Sequence, residues 1–191
     1  MRTKEVLLLL TDHWADWEAA YAISGINAAD GYTIKTIAVT CESKVSMGGL
    51  RAEIDYTIGR YNNLENLAML ILPGGSSWQN SHDEIADFIK KARRADIPVA
   101  AICGAAIFLG KHGFLDGIKH TGDEAELFQK QDGYNGQNNY VPAQVVVDDG
   151  IITANETAAV DFAHAIFGLL KIHTDEEIDE WRDYFKYGMV Q

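Results

Sequence analysis

The sequence predicts an α/β fold in which helices cover both faces of a doubly wound, mostly parallel β-sheet. Apolar runs of strand length alternate along the chain with segments of helical spacing. The runs at residues 5–10 and 67–72 are apolar at almost every position, which is typical of parallel strands buried on both faces. A length of 191 residues with 47% apolar side chains is enough to bury such a sheet in one domain, residues 1–191.

Turn residues and helix-stop signals divide the first half of the chain into five elements. The predicted elements are strands at residues 5–10, 32–40 and 67–72, a helix at residues 16–29, and a hairpin at residues 44–58. The hairpin turns at Gly48-Gly49 and forms a small insertion with an antiparallel edge. Pro73 and the two glycines after it stop the last of these strands.

Two capping boxes mark helix starts in the second half of the chain. They lie at residues 81–84 and 174–177, and between them we predict a strand at 97–102, a helix from 105, a helix at 123–131 and a hairpin of residues 144–148 and 150–154. Asp149-Gly150 is a favourable pair for the turn of that hairpin. Thr157 is expected to cap an apolar helix that runs to about residue 170.

Cys103 lies at the joint between a buried strand and a helix, with Gly104 and two alanines directly after it. Small residues allow the chain to reverse sharply, and a residue at such a turn points its side chain out above the sheet. Ligands of open α/β sheets bind at this edge. The N–H groups that open the helix favour a thiolate, so we expect a thiol pKa below that of free cysteine. The alternative is a buried cysteine that serves only as a small apolar side chain.

Charge and cysteine usage restrict the classes of function. A net charge of −12 argues against nucleic-acid and anionic-membrane partners. The apolar run near the N-terminus is too short for a membrane span and lacks a signal-type cleavage region. Two cysteines without close spacing form neither a disulfide framework nor a zinc site, which is typical of a cytoplasmic protein. Cys41 is expected to be structural, with a resolving thiol as the alternative.

The loops after two other strands are expected to face Cys103, because the carboxyl ends of parallel strands meet along one edge. Glu18, in the first turn of its helix, could share a proton with the thiol, or it could only stabilise the helix start. The backbone N–H groups of Gly75 and Gly104 could form an oxyanion hole, with a plain tight turn as the alternative. Three tryptophans of these loops could line a pocket rim or only pack there: Trp14, Trp17 and Trp78.

The segment after the elbow helix supplies two further candidates. His120 is the best placed histidine for a base near sulfur, and Asp123 could replace or orient it. A lone histidine is more often a surface or packing residue. No pair of histidines has metal-ligand spacing, so we expect no metal. We expect no flavin cofactor either, because residues 12–16 are too acidic and bulky to hold a phosphate.

Together these motifs resemble the ThiJ/PfpI superfamily, the class I glutamine amidotransferase-like group that includes the parkinsonism-associated protein deglycase. The resemblance spans nearly the whole chain, and its matching segments are the first strand with Glu18, residues 73–75, 101–105 and 115–117, His120-Thr121, and residues 152–154. It implies a flavodoxin-like fold, usually dimeric, with a reactive cysteine at position 103. It also implies that Glu18 hydrogen-bonds the sulfur and that the amides of residues 75 and 104 form an oxyanion hole.

Two departures narrow the function that the resemblance implies. Members that resemble intracellular proteases carry histidine directly after the cysteine, where this chain has Gly104, so peptidase activity is not expected. The C-terminal His-x-Glu of the amidotransferases is also absent, and Glu156 stands in that region without the histidine.

We therefore expect a cysteine-dependent enzyme that acts on a small carbonyl or amide compound, as a deglycase, glyoxalase or amidase does. The alternative is a non-catalytic stress or redox protein whose Cys103 is reversibly oxidised. A cytoplasmic homodimer with a small-molecule substrate, and without cofactor, nucleic acid or membrane, is expected in the first case.

Overall fold

The computed structural model describes residues 3–80 and 82–189, and a seven-stranded sheet lies at their centre. The strands are β1 (Lys4–Leu9), β2 (Tyr32–Ala38), β3 (Lys44–Val45), β4 (Arg51–Ala52), β5 (Tyr56–Thr57), β6 (Leu67–Leu72), β7 (Val99–Ile102), β8 (Val145–Asp148) and β9 (Ile151–Ala154). The helices are α1 (Asp16–Ala28), α2 (Asp83–Arg94), α3 (Gly104–Lys111), α4 (Ala125–Gln129), α5 (Ala159–Leu170) and α6 (Asp175–Tyr187).

The strands of the large sheet are ordered β5-β2-β1-β6-β7-β9-β8. All pairings in it are parallel except β8 with β9. The chain therefore winds outward from β1 to β2 and then returns across β1 to β6 and β7. This reversal opens a crevice beyond the carboxyl ends of β1 and β6, where doubly wound folds bind ligands. The predicted fold class is confirmed.

Helices cover both faces of the sheet, which explains why the central strands carry no polar alternation. Leu7 and Leu9 of β1 face the apolar layer that includes Phe108 of α3. Val6 and Leu8 face the opposite layer, formed mainly by α1 and α5. Each fully buried leucine or valine contributes roughly 1.5–3 kcal/mol to folding. A polar residue on either face of β1 would therefore lower the free energy of unfolding.

The predicted hairpin of residues 44–58 is confirmed in its first part only. β3 and β4 pair antiparallel around the glycine turn. Beyond them the chain does not continue the hairpin, because Tyr56 and Thr57 pair parallel with Ile37 and Ala38 at the edge of the large sheet. The turn at Asp149 and Gly150 is confirmed, and both residues have positive φ, 45° and 68°, as a two-residue hairpin turn requires.

Helix ends differ from the predictions in two places. Thr157 does not cap α5, because its Oγ1 bonds Oδ1 of Asn155 at 2.8 Å and Ala158 precedes the helix without a side-chain cap. The predicted helix at 123–131 contracts to α4. Of the first capping box, Ser81 lies outside the described residues. The second box is confirmed, with reciprocal bonds between Thr174 and Glu177.

The helices of residues 3–80 and 82–189 are all too short or too polar to cross a membrane.

Candidate functional site

Cys103 occupies the sharp turn between β7 and α3 with φ 57° and ψ −129°. This is a backbone conformation that residues with a side chain rarely adopt, so the surrounding structure must hold it. Its N–H donates to the carbonyl of Ala154 at 3.0 Å, and its carbonyl accepts the N–H of Ala106 at 2.9 Å. Parallel pairing with β9 on one side and the start of α3 on the other therefore fix the turn. The thiol is half-buried.

Gly104 allows the turn to approach the neighbouring loop closely. A Cβ at this position would lie 3.2 Å from the carbonyl oxygen of Gly75 and 3.4 Å from Cβ of Trp78. These distances are tight for a side-chain carbon, so glycine suits the position. The loop after β6 and the start of α3 consequently lie against each other, and the backbone of Gly75 reaches the cysteine turn.

Glu18 is completely buried in the first turn of α1. Its Oε2 accepts the N–H of Gly74 at 2.5 Å. A Cβ at Gly74 would lie 2.7 Å from that Oε2 and 3.0 Å from Sγ of Cys103, so the absence of a side chain at Gly74 keeps carboxyl and thiol together. The second oxygen, Oε1, is buried without a hydrogen-bond partner among the described residues. A buried oxygen without a donor is better accommodated in a neutral carboxyl than in a carboxylate.

Burial raises the pKa of Glu18 to about 7. The N–H of Gly74 and the nearby thiol of Cys103 lower that pKa, whereas the charges of Asp123 and Glu156 raise it further. Desolvation of the charged form dominates. A carboxyl group that titrates near neutrality can accept or donate a proton at physiological pH, as a general base or acid must.

Burial also raises the pKa of the Cys103 thiol, and the charges of Glu18 and Asp123 raise it further. The N–H of Gly104 acts in the opposite direction by hydrogen bonding to the sulfur. The expectation of a thiol pKa below that of free cysteine is therefore wrong, because desolvation and two carboxylates outweigh the helix start. The sulfur needs a nearby base to become a thiolate, and Glu18 is in position.

Asp123 and Glu156 complete an acidic rim around the sulfur. One carboxylate oxygen from each and Sγ of Cys103 lie within 4.8 Å of one another. Oδ1 of Asp123 also accepts the N–H of Glu156 at 2.7 Å, which holds the two loops together. This spacing would admit a divalent cation, but Glu156 is exposed and such acidic groups often meet without one, so we assign no metal.

The structure does not make His120 available to Cys103. The ring is fully buried, and its Nδ1 lies 2.9 Å from the carbonyl of Ile118 while its Nε2 lies 2.7 Å from the hydroxyl of Tyr134. The rings of Phe128 and Tyr134 pack against it. Both nitrogen atoms are engaged, so the histidine belongs to the core, and Asp123 is the one of the two candidates that reaches the sulfur.

Replacing His120 by phenylalanine is expected to lower the free energy of unfolding by about 2–4 kcal/mol, because the hydroxyl of Tyr134 and the carbonyl of Ile118 lose their buried partner. Urea unfolding measures this loss. The rate of Cys103 alkylation in the folded variant should match that of the wild type. A variant of normal stability with a changed alkylation rate would contradict the structural role.

Gly75 has φ 131°, and a Cβ there would lie 2.3 Å from the carbonyl oxygen of His13. Only glycine fits this position. The flanking residues bond to the loop after β1, since the N–H of Ala15 donates to Gly74 and the N–H of Ser76 to His13. The N–H of Gly75 itself donates to no group within residues 3–80 and 82–189, and it remains free for a ligand.

The three tryptophans of the candidate pocket rim lie in two different environments. Trp14 and Trp78 are buried, and the indole N–H of Trp78 donates to the carbonyl of Pro73 at 2.8 Å. Both hold the loops after β1 and β6 in place. Trp17 is 49% exposed on α1. Trp14 and Trp78 are therefore packing residues. Of the three tryptophans, Trp17 is the one whose side chain is accessible to a ligand or a partner.

One feature of the site was not apparent from the sequence. Gly74, rather than Gly75, provides the N–H that binds Glu18, and both glycines of one short motif fitted the sequence equally well. Cys41, the other cysteine, is exposed.

Comparisons with known proteins agree on one family. The model of the DJ-1/PfpI family matches residues 4–168. The uncharacterized protease YdeA of Bacillus subtilis (strain 168) is 35% identical over 187 residues, which cover 97% of this chain and 92% of YdeA. A thiJ/pfpI family protein from Bacillus anthracis has 29% identity and a TM-score of 0.90, with 99% of this chain and 93% of that chain covered. DJ-1 superfamily protein Atu0886 from Agrobacterium tumefaciens has 28% identity and a TM-score of 0.90, with 98% of this chain and 100% of that chain covered. The chain therefore belongs to the DJ-1/PfpI family.

Proposed function

We propose that this protein is a cysteine-dependent enzyme that acts on a small carbonyl or amide compound. The observation that carries the proposal is the pairing of a strained, half-buried Cys103 with a completely buried Glu18 whose pKa is about 7. A weakly acidic thiol gains most from a base that titrates near the working pH.

In the proposed reaction Sγ of Cys103 attacks the substrate carbonyl carbon, and Glu18 takes the thiol proton. The carbonyl electron pair moves to oxygen, and the N–H groups of Gly75 and Gly104 stabilise the resulting negative charge. With an aldehyde, Glu18 returns the proton to this oxygen and a hemithioacetal results. In the hemithioacetal of methylglyoxal, transfer of the proton from the sulfur-bound carbon to the neighbouring carbonyl carbon gives a thioester of lactate, which water hydrolyses to lactate and the free thiol. With an amide the carbon–nitrogen bond breaks, Glu18 returns the proton to the leaving nitrogen, and water hydrolyses the thioester.

Peptide hydrolysis is not part of this proposal, although YdeA is named an uncharacterized protease. Gly104 follows the cysteine, and the ionisable groups that act on its sulfur are the carboxyls of Glu18 and Asp123. Carboxylates so close to the sulfur also suit a small neutral substrate better than an anionic one. We further propose that the chain acts as a single domain in the reducing cytoplasm, which keeps both cysteines as thiols.

Turnover of methylglyoxal and of simple amides tests the proposal, with the wild type and Cys41→Ser assayed before and after treatment with iodoacetamide. Both proteins should turn over at least one substrate, and both should lose activity in proportion to alkylation of Cys103. Casein hydrolysis serves as the control for peptidase activity. Turnover that survives complete alkylation, or the absence of turnover with every substrate, contradicts the proposal.

A second candidate function is reversible oxidation of Cys103, and the unpartnered Oε1 of Glu18 favours it. A peroxide would transfer one oxygen to the thiolate, giving a sulfenic acid while the peroxide is reduced to water. Protonated Glu18 could then donate to an oxygen bound to sulfur. Mass spectrometry after peroxide treatment separates the candidates, because an oxidised Cys103 without turnover of either substrate class supports the redox role alone.

We propose that the protein is a homodimer through an apolar surface formed by α1 and the β3–β4 hairpin. Trp17, Met47 and Leu50 are all largely exposed there. The hairpin is docked on the start of α1, because Ser46 donates to Asp16 at 2.7 Å. Three large exposed apolar side chains on two elements that are hydrogen-bonded to each other are typical of an interface.

Replacing Leu50 by glutamate should therefore convert the dimer into a monomer, because a charge would be buried at the centre of the interface. Sedimentation velocity measures the change in mass. Leu50 is exposed in the single chain, so the stability of the monomer should change little. An unchanged dimer would place the interface elsewhere, and Tyr187→Glu on α6 is the matched control.

A further inference from the structure

The thiol of Cys103 is surrounded by negative charge that no protein cation neutralises. One carboxylate oxygen of Asp123 and one of Glu156 lie within 4.8 Å of its Sγ. Both charges also act on Glu18, the buried carboxyl beside the same sulfur. In the described part of the chain neither Asp123 nor Glu156 forms an ion pair. Their charges are therefore available to a ligand that approaches the thiol.

A cavity of about 360 Å³ adjoins this acidic rim. Asp123 lines the cavity and also reaches the sulfur, so a ligand can extend from the thiol into this space. Its polar lining includes Tyr140, Gln144 and Asn155. Of the described residues that line it, Asp123 is the one that carries a formal charge. The space beside the thiol therefore suits a cation and disfavours an anion.

The backbone of the same site presents a donor to a ligand oxygen. The N–H of Gly75 donates to no group in the ranges 3–80 and 82–189. This free donor is independent of the carboxylates, and it points to a ligand that accepts a hydrogen bond, as a carbonyl oxygen does. A ligand that satisfies both features carries a carbonyl oxygen and, close to it, a positive charge.

We propose that the substrate of Cys103 carries a protonated amine next to its reacting carbonyl, as an α-amino amide or an α-amino ketone does. This inference rests on the proposed cysteine-dependent function and names its substrate class. The ammonium binds to the carboxylates of Asp123 and Glu156 through charge-assisted hydrogen bonds. Because these carboxylates lie so close to Sγ, the charge must lie close to the carbonyl carbon. The rest of the substrate extends into the cavity.

A bound ammonium also helps to ionise the reacting groups. In the free protein the charges of Asp123 and Glu156 raise the pKa of Glu18, and Asp123 raises that of the Cys103 thiol. A cation held by both carboxylates offsets these charges and lowers both pKa values. It also stabilises the carboxylate of Glu18, whose buried Oε1 has no hydrogen-bond partner among the described residues. A neutral substrate of the same shape lacks this effect.

Three methanethiosulfonate reagents of similar length measure this charge preference without turnover. The aminoethyl reagent is a cation, the propyl reagent is neutral and the sulfonatoethyl reagent is an anion. In each reaction the thiolate forms a disulfide with the alkylthio group, and methanesulfinate leaves. Rates are divided by those of free 2-mercaptoethanol, and EDTA excludes metal ions. Cys103 should react about tenfold faster or more with the cation than with the neutral reagent, and slowest with the anion.

Cys41 is the internal reference, because it is exposed and is followed by peptide mass spectrometry in the same sample. Its preference for the cation should be clearly smaller than that of Cys103. This comparison separates the local carboxylates from the net charge of −12 on the whole chain. An equal preference at both cysteines would overturn the inference.

Asp123→Asn and Glu156→Gln should each reduce the cation preference of Cys103 by about threefold or more. The asparagine side chain keeps an oxygen that can accept the N–H of Glu156, so the loops should stay together. The ratio of the two rates is compared, because Asp123 also raises the pKa of the thiol. Asp30→Asn is the matched control. Asp30 is exposed in the loop before β2, at the opposite edge of the sheet, and its loss should leave the preference unchanged.

Glycinamide should slow the reaction of Cys103 with the propyl reagent, whereas propionamide, its uncharged isostere, should not. Equal rates with the cation and the neutral reagent, a preference that survives loss of both carboxylates, or no protection by glycinamide would each overturn the inference. None of these outcomes depends on turnover. A chain with the charge preference that turns over no substrate would keep the cation-binding arrangement and contradict the enzymatic function alone.

Discussion

Replacing Cys103 by alanine is expected to reduce kcat/KM for the carbonyl or amide substrate on the order of 10⁴-fold or more. The variant loses the only atom that forms a covalent bond in the proposed reaction. The N–H groups of Gly75 and Gly104 remain, so residual activity would measure what the oxyanion hole achieves alone. Initial rates at saturating and limiting substrate give the comparison.

Cys103→Gly provides the control that separates lost chemistry from lost structure. The backbone at this position has φ 57° and ψ −129°, which glycine adopts freely and alanine does not. We expect the glycine variant to be as inactive as alanine but more stable, by about 1–2 kcal/mol in urea unfolding. A Cys103→Ala protein that keeps full activity would remove the cysteine from the mechanism.

Replacing Glu18 by glutamine should reduce kcat/KM by about 10²–10⁴-fold, the usual contribution of a general base. Glutamine can still accept the N–H of Gly74, but it cannot take the thiol proton. In the wild type the base must be ionised to act, so kcat/KM should rise with pH through about 7. This limb of the pH profile should be absent from the variant. A variant with the same inflection would assign it to another group.

The same substitution should change how stability depends on pH. The pKa of Glu18 is raised from 4.5 to about 7 by burial, so between these values the folded chain holds a proton that the unfolded chain has released. The stabilisation from this group is complete below pH 4.5 and is lost as pH rises through about 7, a change of roughly 3 kcal/mol. Urea unfolding across that range should show Glu18→Gln gaining stability relative to the wild type. Parallel profiles for the two proteins would contradict a raised pKa.

The cysteine turn could be predicted from the sequence because its causes are local. A buried strand, a single cysteine and three small residues in succession leave few conformations for the chain. Strand order then places the loop after β1 beside that turn, which is why Glu18 was identifiable. The N–H that binds it was not, because the choice between Gly74 and Gly75 depends on how the loop after β6 crosses His13 and Trp14.

His120 shows where such reasoning fails. Its position after the elbow helix fitted a base, but its environment is made by residues distant in the sequence, Tyr134 and Tyr140 among them. The prediction that the pKa of the Cys103 thiol is lowered was wrong for a related reason. The helix start is visible in the sequence, whereas burial and the charges of Glu18 and Asp123 arise only from the folded chain. Local signals therefore located the sulfur, and tertiary packing determined its chemistry.

The protonation of Glu18 itself is the most direct measurement of the shared-proton pair. In ¹³C-labelled protein the side-chain carboxyl resonance that disappears in Glu18→Gln can be followed across pH. We expect its inflection near pH 7, shifted when Cys103 is replaced by alanine. An inflection near 4.5, the value of a solvent-exposed glutamate, together with no response to the loss of sulfur, would contradict the pairing of carboxyl and thiol.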